Sequence, residues 1–200
     1  MDSDGYLSQL ADIFNGITVN TPSISAIIAI VLAGVLLLAS GFASASEIAF
    51  FSLTPSDRND IDEQNHPSDE KISALLGDSE RLLATILITN NFVNVTIIML
   101  CNFFFMNVFV FHSPLAEFLI LTVILTFLLL LFGEIMPKIY SAQKTLAFCR
   151  FSAPGIYFLE KLFRPVATVL VRSTTFLNKH FVKKSHNISA VSYTHLRAHE

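Results

Sequence analysis

Oxygen donors gather at three places in this chain where the surrounding residues are apolar. One is Gly133-Glu134-Ile135-Met136-Pro137-Lys138, which closes an apolar run over residues 118–132 broken only by Thr122 and Thr126. A carboxylate against a membrane-length apolar segment is costly, and the usual reason to keep one is a site for an ion or a proton. If the helix runs on through Pro137, the ring nitrogen has no N–H to offer the carbonyl four residues back, that of Gly133. Glu134 and the Gly133 carbonyl are then two hard donors of the kind that Mg2+, Ca2+ or Na+ needs when it loses water. The competing reading is that Glu134 ends the helix at the headgroups and pairs with Lys138 at i,i+4.

The second place is Ser40-Gly41-Phe42-Ala43-Ser44-Ala45-Ser46-Glu47. On a helix Ser40, Ser44 and Glu47 share a face. Small residues there let another backbone approach closely. Serines bonded to their own i−4 carbonyls would also account for the hydroxyls, but not for Glu47, which is followed by apolar residues 48–51. The third place holds Asn90, Asn91 and Asn94. Asn90 and Asn94 share a face, so their oxygens can converge. The alternative is inter-helix hydrogen bonding, roughly 0.6–2 kcal/mol per contact, which is the reading for Asn102 and Asn107. The candidate ligands are thus Ser44, Ser46, Glu47, Asn90, Asn94, Gly133 through its carbonyl, and Glu134, with Pro137 as the helix break. Hydroxyls, carboxamides, carboxylates and a carbonyl make an all-oxygen shell for a hard cation. No Cys or His contributes, which argues against zinc or copper.

The elements that must carry these residues are membrane helices. A chain of 200 residues that is 52% hydrophobic and 14% charged is no ordinary soluble domain. Nineteen Phe and no Trp suit lipid-facing helices without an interfacial Trp belt. Three segments are long enough to span, at about residues 24–51, 82–110 and 115–133. All thirteen Lys and Arg avoid residues 1–57 and 82–137. By the positive-inside rule the first connection and the C-terminal part face the cytoplasm, while the N-terminus and the 111–114 turn face outward. No basic region precedes the first span. Ala43-Ser44-Ala45 looks like a cleavage site, but the rest of a signal peptide is missing. The short turn predicts that spans two and three are antiparallel neighbours.

Between the first two spans, Thr54-Pro55 predicts a helix start, with Thr as N-cap and Pro at the first helical position. Residues 57–80 carry eight acidic residues without the glycine and glutamate of a calcium loop, so they read as a solvated helical connection, with His66 an ordinary surface residue. Cys101 and Cys149 read as packing residues. After Lys138, charges at Lys144, Arg150, Glu160, Lys161 and Arg164 make a fourth span expensive. An amphipathic helix pair at the cytoplasmic interface, broken at Pro154-Gly155 and Pro165, is cheaper and sets basic residues on anionic headgroups. Residues 191–200 continue no upstream pattern, resemble a translated vector tail and are set aside; their His195 and His199 are not read as a metal site. The expected fold class is therefore an all-α membrane protein: three transmembrane helices plus an interfacial amphipathic pair.

Three motifs in this order resemble the transmembrane domain of the CNNM/CorC (DUF21) family of magnesium transporters. Ser44-Ala45-Ser46-Glu47-Ile48-Ala49 is similar to its Ser-x-Ser-Glu-x-Ala segment, Asn90-Asn91-Phe92-Val93-Asn94 to Asn-Asn-x-x-Asn, and residues 133–138 to Gly-Glu-x-x-Pro-Lys. Thr89 departs from the glycine that many members carry there. Residues 138–144 and 158–165 look most like the gliding-motility-associated branch of Bacteroidetes. The resemblance implies Mg2+ as the bound and transported ion, with Na+ a candidate coupling ion at Glu47. It also implies a homodimer in a bacterial inner membrane, and possible contacts with gliding or secretion machinery. Cytoplasmic CBS domains and a C-terminal domain would follow the membrane part. Their absence from these 200 residues reads as a truncation near Ala190. The alternative function is a structural or assembly role without ion flux. An enzyme is not expected, because the sequence holds no nucleophile–base pair, phosphate loop or catalytic metal signature.

Overall fold

Apolar runs of this length leave the backbone one economical way to satisfy its own N–H and C=O groups in lipid, a continuous helix. The structure, a computed structural model that describes residues 18–110 and 114–196, is built accordingly. Among the described residues, Ile24–Phe51, Ser79–Val108 and Glu117–Gln143 are long and apolar enough to cross a membrane. The expected acidic segment up to residue 17, the turn residues 111–113 with His112, and His199 lie outside the described residues.

Helix α1 (Ile24–Phe51) begins where the Ser23 hydroxyl accepts a hydrogen bond from the Ala26 N–H at 3.2 Å. Helix α2 (Pro55–Asp62) starts at the predicted cap: the Asp57 N–H donates to Thr54 Oγ1, and the Thr54 N–H donates to Asp57 Oδ2. Two orphan donors are satisfied at once. Helix α3 (Asp69–Leu76) follows, then α4 (Ser79–Val108), capped by Asp78. Helix α5 (Pro114–Leu128) passes into a π-helical stretch, Leu129–Ile135, and on into α6 (Met136–Gln143). A single break at Lys144 precedes α7 (Thr145–Leu196). Strands β1 (Thr18–Val19) and β2 (Phe109–Val110) pair antiparallel, tying the approach to α1 to the far end of α4.

Helix α1 is the centre of the packing, with α4, α6, α7 and the π stretch all laid against it. One apolar cluster joins Phe50, Ile61, Ile72, Ile86, Cys149 and Ile156 where α1, the connection and α7 meet. A second joins Ala33, Val93, Ile97, Cys101 and Leu125 further along the bundle. Both cysteines are free and buried, as packing residues should be.

Three expectations need correction. The connection between the first two spans is only partly solvated, because Ile61, Asp69, Ile72 and Leu75 are buried. Helix α7 runs through both Pro154 and Pro165. Its face Cys149, Ala153 and Ile156 is buried at i, i+4 and i+7, and this packing carries the helix past Pro154; beyond Pro165, Ala167 is buried. The third span packs mainly on α1, through α6 and the π stretch, and α5 touches α4 only lightly.

Candidate functional site

The C-terminal half of α1 is lined with small residues, and Ser40, Gly41, Ala43, Ser44, Ala45 and Ser46 are all buried. Their size lets two other helices close in. A methyl group on Gly133 would stand 3.1 Å from Ser40 Oγ, and one on Gly41 would stand 3.0 Å from Pro137 Cγ. The third span therefore meets α1 almost backbone to backbone, at two glycines facing in opposite directions across the seam.

Ser40 is where the three helices meet. Its hydroxyl lies 2.8 Å from Asn90 Oδ1 and 2.7 Å from Asn94 Oδ1, both on α4, with Gly133 of the π stretch against its other side. A hydroxyl has one proton, so it serves one of these two oxygens at a time. Turning one carboxamide over would supply an N–H and satisfy the trio; left as they are, three oxygens share one proton. One turn further along α1, the Ser44 hydroxyl is fully buried and has no hydrogen-bond partner among the described residues. An orphan of that kind costs about 1–3 kcal/mol.

The π stretch sits where Pro137 requires it. An α-helical turn would press the proline ring against the Gly133 carbonyl. The wider turn, in which the Met136 N–H donates to the Leu131 carbonyl, carries the chain past that position. The helix thus continues through Pro137, with no proline N–H for Gly133.

Of the residues singled out from sequence, Asn90, Asn94 and Gly133 come together around Ser40. Glu134 follows Gly133 and is half-buried, without a hydrogen bond or ion pair among the described residues. It does not pair with Lys138, whose ammonium instead meets Glu47 Oε2 at 3.0 Å. Glu47 is therefore held across the α1–α6 contact. Ser46 donates to its own Phe42 carbonyl at 2.7 Å, and Asn91 to the Leu87 carbonyl, so both turn to their own helix. Thr89, where a glycine was the alternative, does the same toward Thr85. Ser40 was placed on the Ser44 face but not among the ligands. The missing signal was the register of α4 on α1, which no local pattern carries. Ser141 also escaped notice; it locks α6 to α1 by donating to the Ala45 carbonyl at 2.6 Å.

A second polar cluster lies outside the spans. Asp69 on α3 is fully buried and accepts from Arg150 Nε at 2.8 Å and Nη2 at 3.0 Å, while the His66 N–H donates to it at 3.0 Å. Burial pushes its carboxyl up, but the Arg150 guanidinium and the His66 N–H outweigh burial and hold it below the ordinary carboxylate value. Arg81 bridges Asp78 and, at 3.8 Å, Glu160 on α7.

Comparison with known proteins adds an independent line. The family model described as the cyclin M transmembrane N-terminal domain (CNNM) matches residues 30–198, a stretch that runs into the tail set aside above. A UPF0053 protein of Haemophilus influenzae (strain ATCC 51907 / DSM 11121 / KW20 / Rd) is 31% identical over 134 residues, which is 67% of this chain and 31% of the relative. The chain thus matches about a third of that relative's length.

Proposed function

This chain belongs to the cyclin M transmembrane domain family, and from that premise we propose that it binds dehydrated Mg2+ as cargo between α1, α4 and the π stretch and passes it across the membrane. The observation that carries this reading is the convergence of Ser40, Asn90, Asn94 and Gly133, from three helices, around a single hydroxyl proton. Mg2+ takes six oxygens at about 2.0–2.1 Å, which sets neighbouring ligands about 2.9 Å apart. The 2.8 and 2.7 Å separations at Ser40 are close to that edge. An ion can enter with little movement of the helices if the Ser40 hydroxyl keeps its proton, turns it away from the carboxamides and binds through an oxygen lone pair. The unpartnered Ser44 hydroxyl, the Gly133 carbonyl and the free Glu134 carboxylate complete the shell, and Glu134 offsets the charge.

Transport requires the site to open toward each side in turn. The π stretch and Pro137 give the third span a joint beside the ligands. Glu47, clamped to Lys138, remains the place for a coupling ion such as Na+, which would compete with the ammonium. The same proposal sets the chain in a bacterial inner membrane as a homodimer, N-terminus outside. A link to gliding or secretion machinery is supported only by the resemblance of residues 138–144 and 158–165. The test is Mg2+ flux into vesicles reconstituted with the full chain. Flux is expected from the native sequence and not from Asn94→Ala at equal helix content. A folded native protein without flux would overturn transport and leave an assembly role.

A further inference from the structure

On the opposite side of α1 from the ion ligands, an apolar crevice of about 430 Å³ runs between α1, the end of the π stretch, α6 and α7. Its walls are Leu38, Phe42, Phe132, Pro137, Phe148 and Phe151. The aromatic rings brace one another: Phe42 meets Phe151 edge-on at 6.1 Å and Phe148 at 6.3 Å, and Phe148 meets Phe151 at 5.8 Å. Phe42 is seated against Gly155, where a methyl group would come within 3.0 Å of its ring. The crevice is therefore a built feature of the α1–α7 contact. Its outer wall is open, with Leu38 77% and Phe151 71% exposed.

A second groove of about 290 Å³ continues from it, sharing Tyr140, Phe148 and Phe151 and adding Lys144 and Ala147. Lys144 stands at the break between α6 and α7, where the third span ends. Its side chain is exposed and has no carboxylate partner among the described residues. The two grooves together present a long apolar floor with one cation at its end and no carboxylate in either wall.

We propose that this face binds an anionic phospholipid, with one acyl chain in the aromatic crevice and the headgroup phosphate on Lys144. The two grooves are continuous through Tyr140, Phe148 and Phe151 and are open on one side, as an acyl chain entering from the bilayer requires. The uncompensated cation selects the headgroup. A second copy of the chain docked through the same face would bring another Lys144 and no carboxylate, so charge complementarity favours the lipid. The bound chain would lie against Pro137 and Gly41, one residue from Ser40, yet the proposal does not rest on ion transport.

The experiment is native mass spectrometry of the full chain released from detergent after incubation with equal amounts of phosphatidylglycerol and phosphatidylcholine. The native chain should retain one phosphatidylglycerol in preference to phosphatidylcholine. Lys144→Gln should lower that preference about fivefold, the effect of one lysine near an anionic surface, and Lys144→Arg should keep it. Ala147→Trp, at an exposed position in the second groove, should lower retention of both lipids. Asn94→Ala should leave lipid retention unchanged, which separates failure here from failure of the ion site. Equal retention of the two lipids by the native chain, or an unchanged preference in Lys144→Gln, overturns the proposal. So does a dimer whose population falls in Ala147→Trp while lipid retention holds, which would assign the face to a second copy.

Discussion

Asp69 and Ser40 are both fully buried polar residues, yet their surroundings differ in kind. Asp69 receives two hydrogen bonds from Arg150 and one from a backbone N–H, so its charge is matched within the protein. Ser40 lies between the Asn90 and Asn94 carboxamides with one proton to give, and the Ser44 hydroxyl, a turn away, has no hydrogen-bond partner among the described residues. A polar group whose partners are supplied by the chain fastens the chain together. One whose complement is incomplete leaves room for something that is not protein. By this criterion the first cluster joins the connection to α7, and the second is the one we propose as the site.

The largest way to break the comparison is Arg150→Ala. It leaves a buried carboxylate without its guanidinium and should cost up to about 3–5 kcal/mol, while leaving the response to Mg2+ intact. Asp69→Ala should cost less, because the Arg150 side chain is 24% exposed and can turn to solvent. Thermal unfolding of the two variants measures the order. Next is Gly133→Ala. Its methyl group meets Ser40 Oγ at 3.1 Å and should cost about 1–3 kcal/mol by overpacking, and it should also remove cation binding by displacing the hydroxyl. Ser44→Ala sharpens the contrast through a difference in sign. Removing a buried hydroxyl without a partner should leave the cation-free protein as stable as before, or up to about 1 kcal/mol more stable, while weakening the Mg2+ response. A plain structural hydroxyl would instead lose stability in both conditions.

The smallest effect is that of pH. The Asp69 carboxyl is held below its ordinary value, so its contribution is complete above the unfolded-chain value of about 3.9 and is lost as pH falls through the lower folded value. An acid unfolding series should therefore show a limb that starts near the unfolded-chain value and runs down through the lower folded value, and that flattens in Arg150→Ala.

The spans were legible because hydrophobic length is a local property, and α1 has the bounds expected from residues 24–51. The Thr54-Pro55 start was legible for the same reason, since its cap partner lies three residues away. Family membership followed from three short motifs in order. What stayed hidden depends on how helices are set against one another. Asp69 and Arg150 are 81 positions apart, and nothing in an acidic connection marks one carboxylate for burial. Lys138 had Glu134 within reach on its own helix, but the close approach at Gly41 and Pro137 set it beside Glu47 instead. The prolines of α7 looked like ends because their local effect is to end helices, and at Pro154 the buried face Cys149, Ala153 and Ile156 overrides it. Ser40 was on the right face, yet its place at the centre depends on where α4 sets Asn90 and Asn94.

The most direct test of the site is thermal unfolding of the full chain in detergent with Mg2+, beside Asn94→Ala and Arg150→Ala. A ligand that binds only the folded state adds about 2.7 kcal/mol at a hundred times its Kd. The account predicts a shift of that order in the native chain and in the weakened Arg150→Ala, and none in Asn94→Ala. An equal shift in Asn94→Ala, or no shift in the native chain with Mg2+, Ca2+, Mn2+ or Na+, would contradict it.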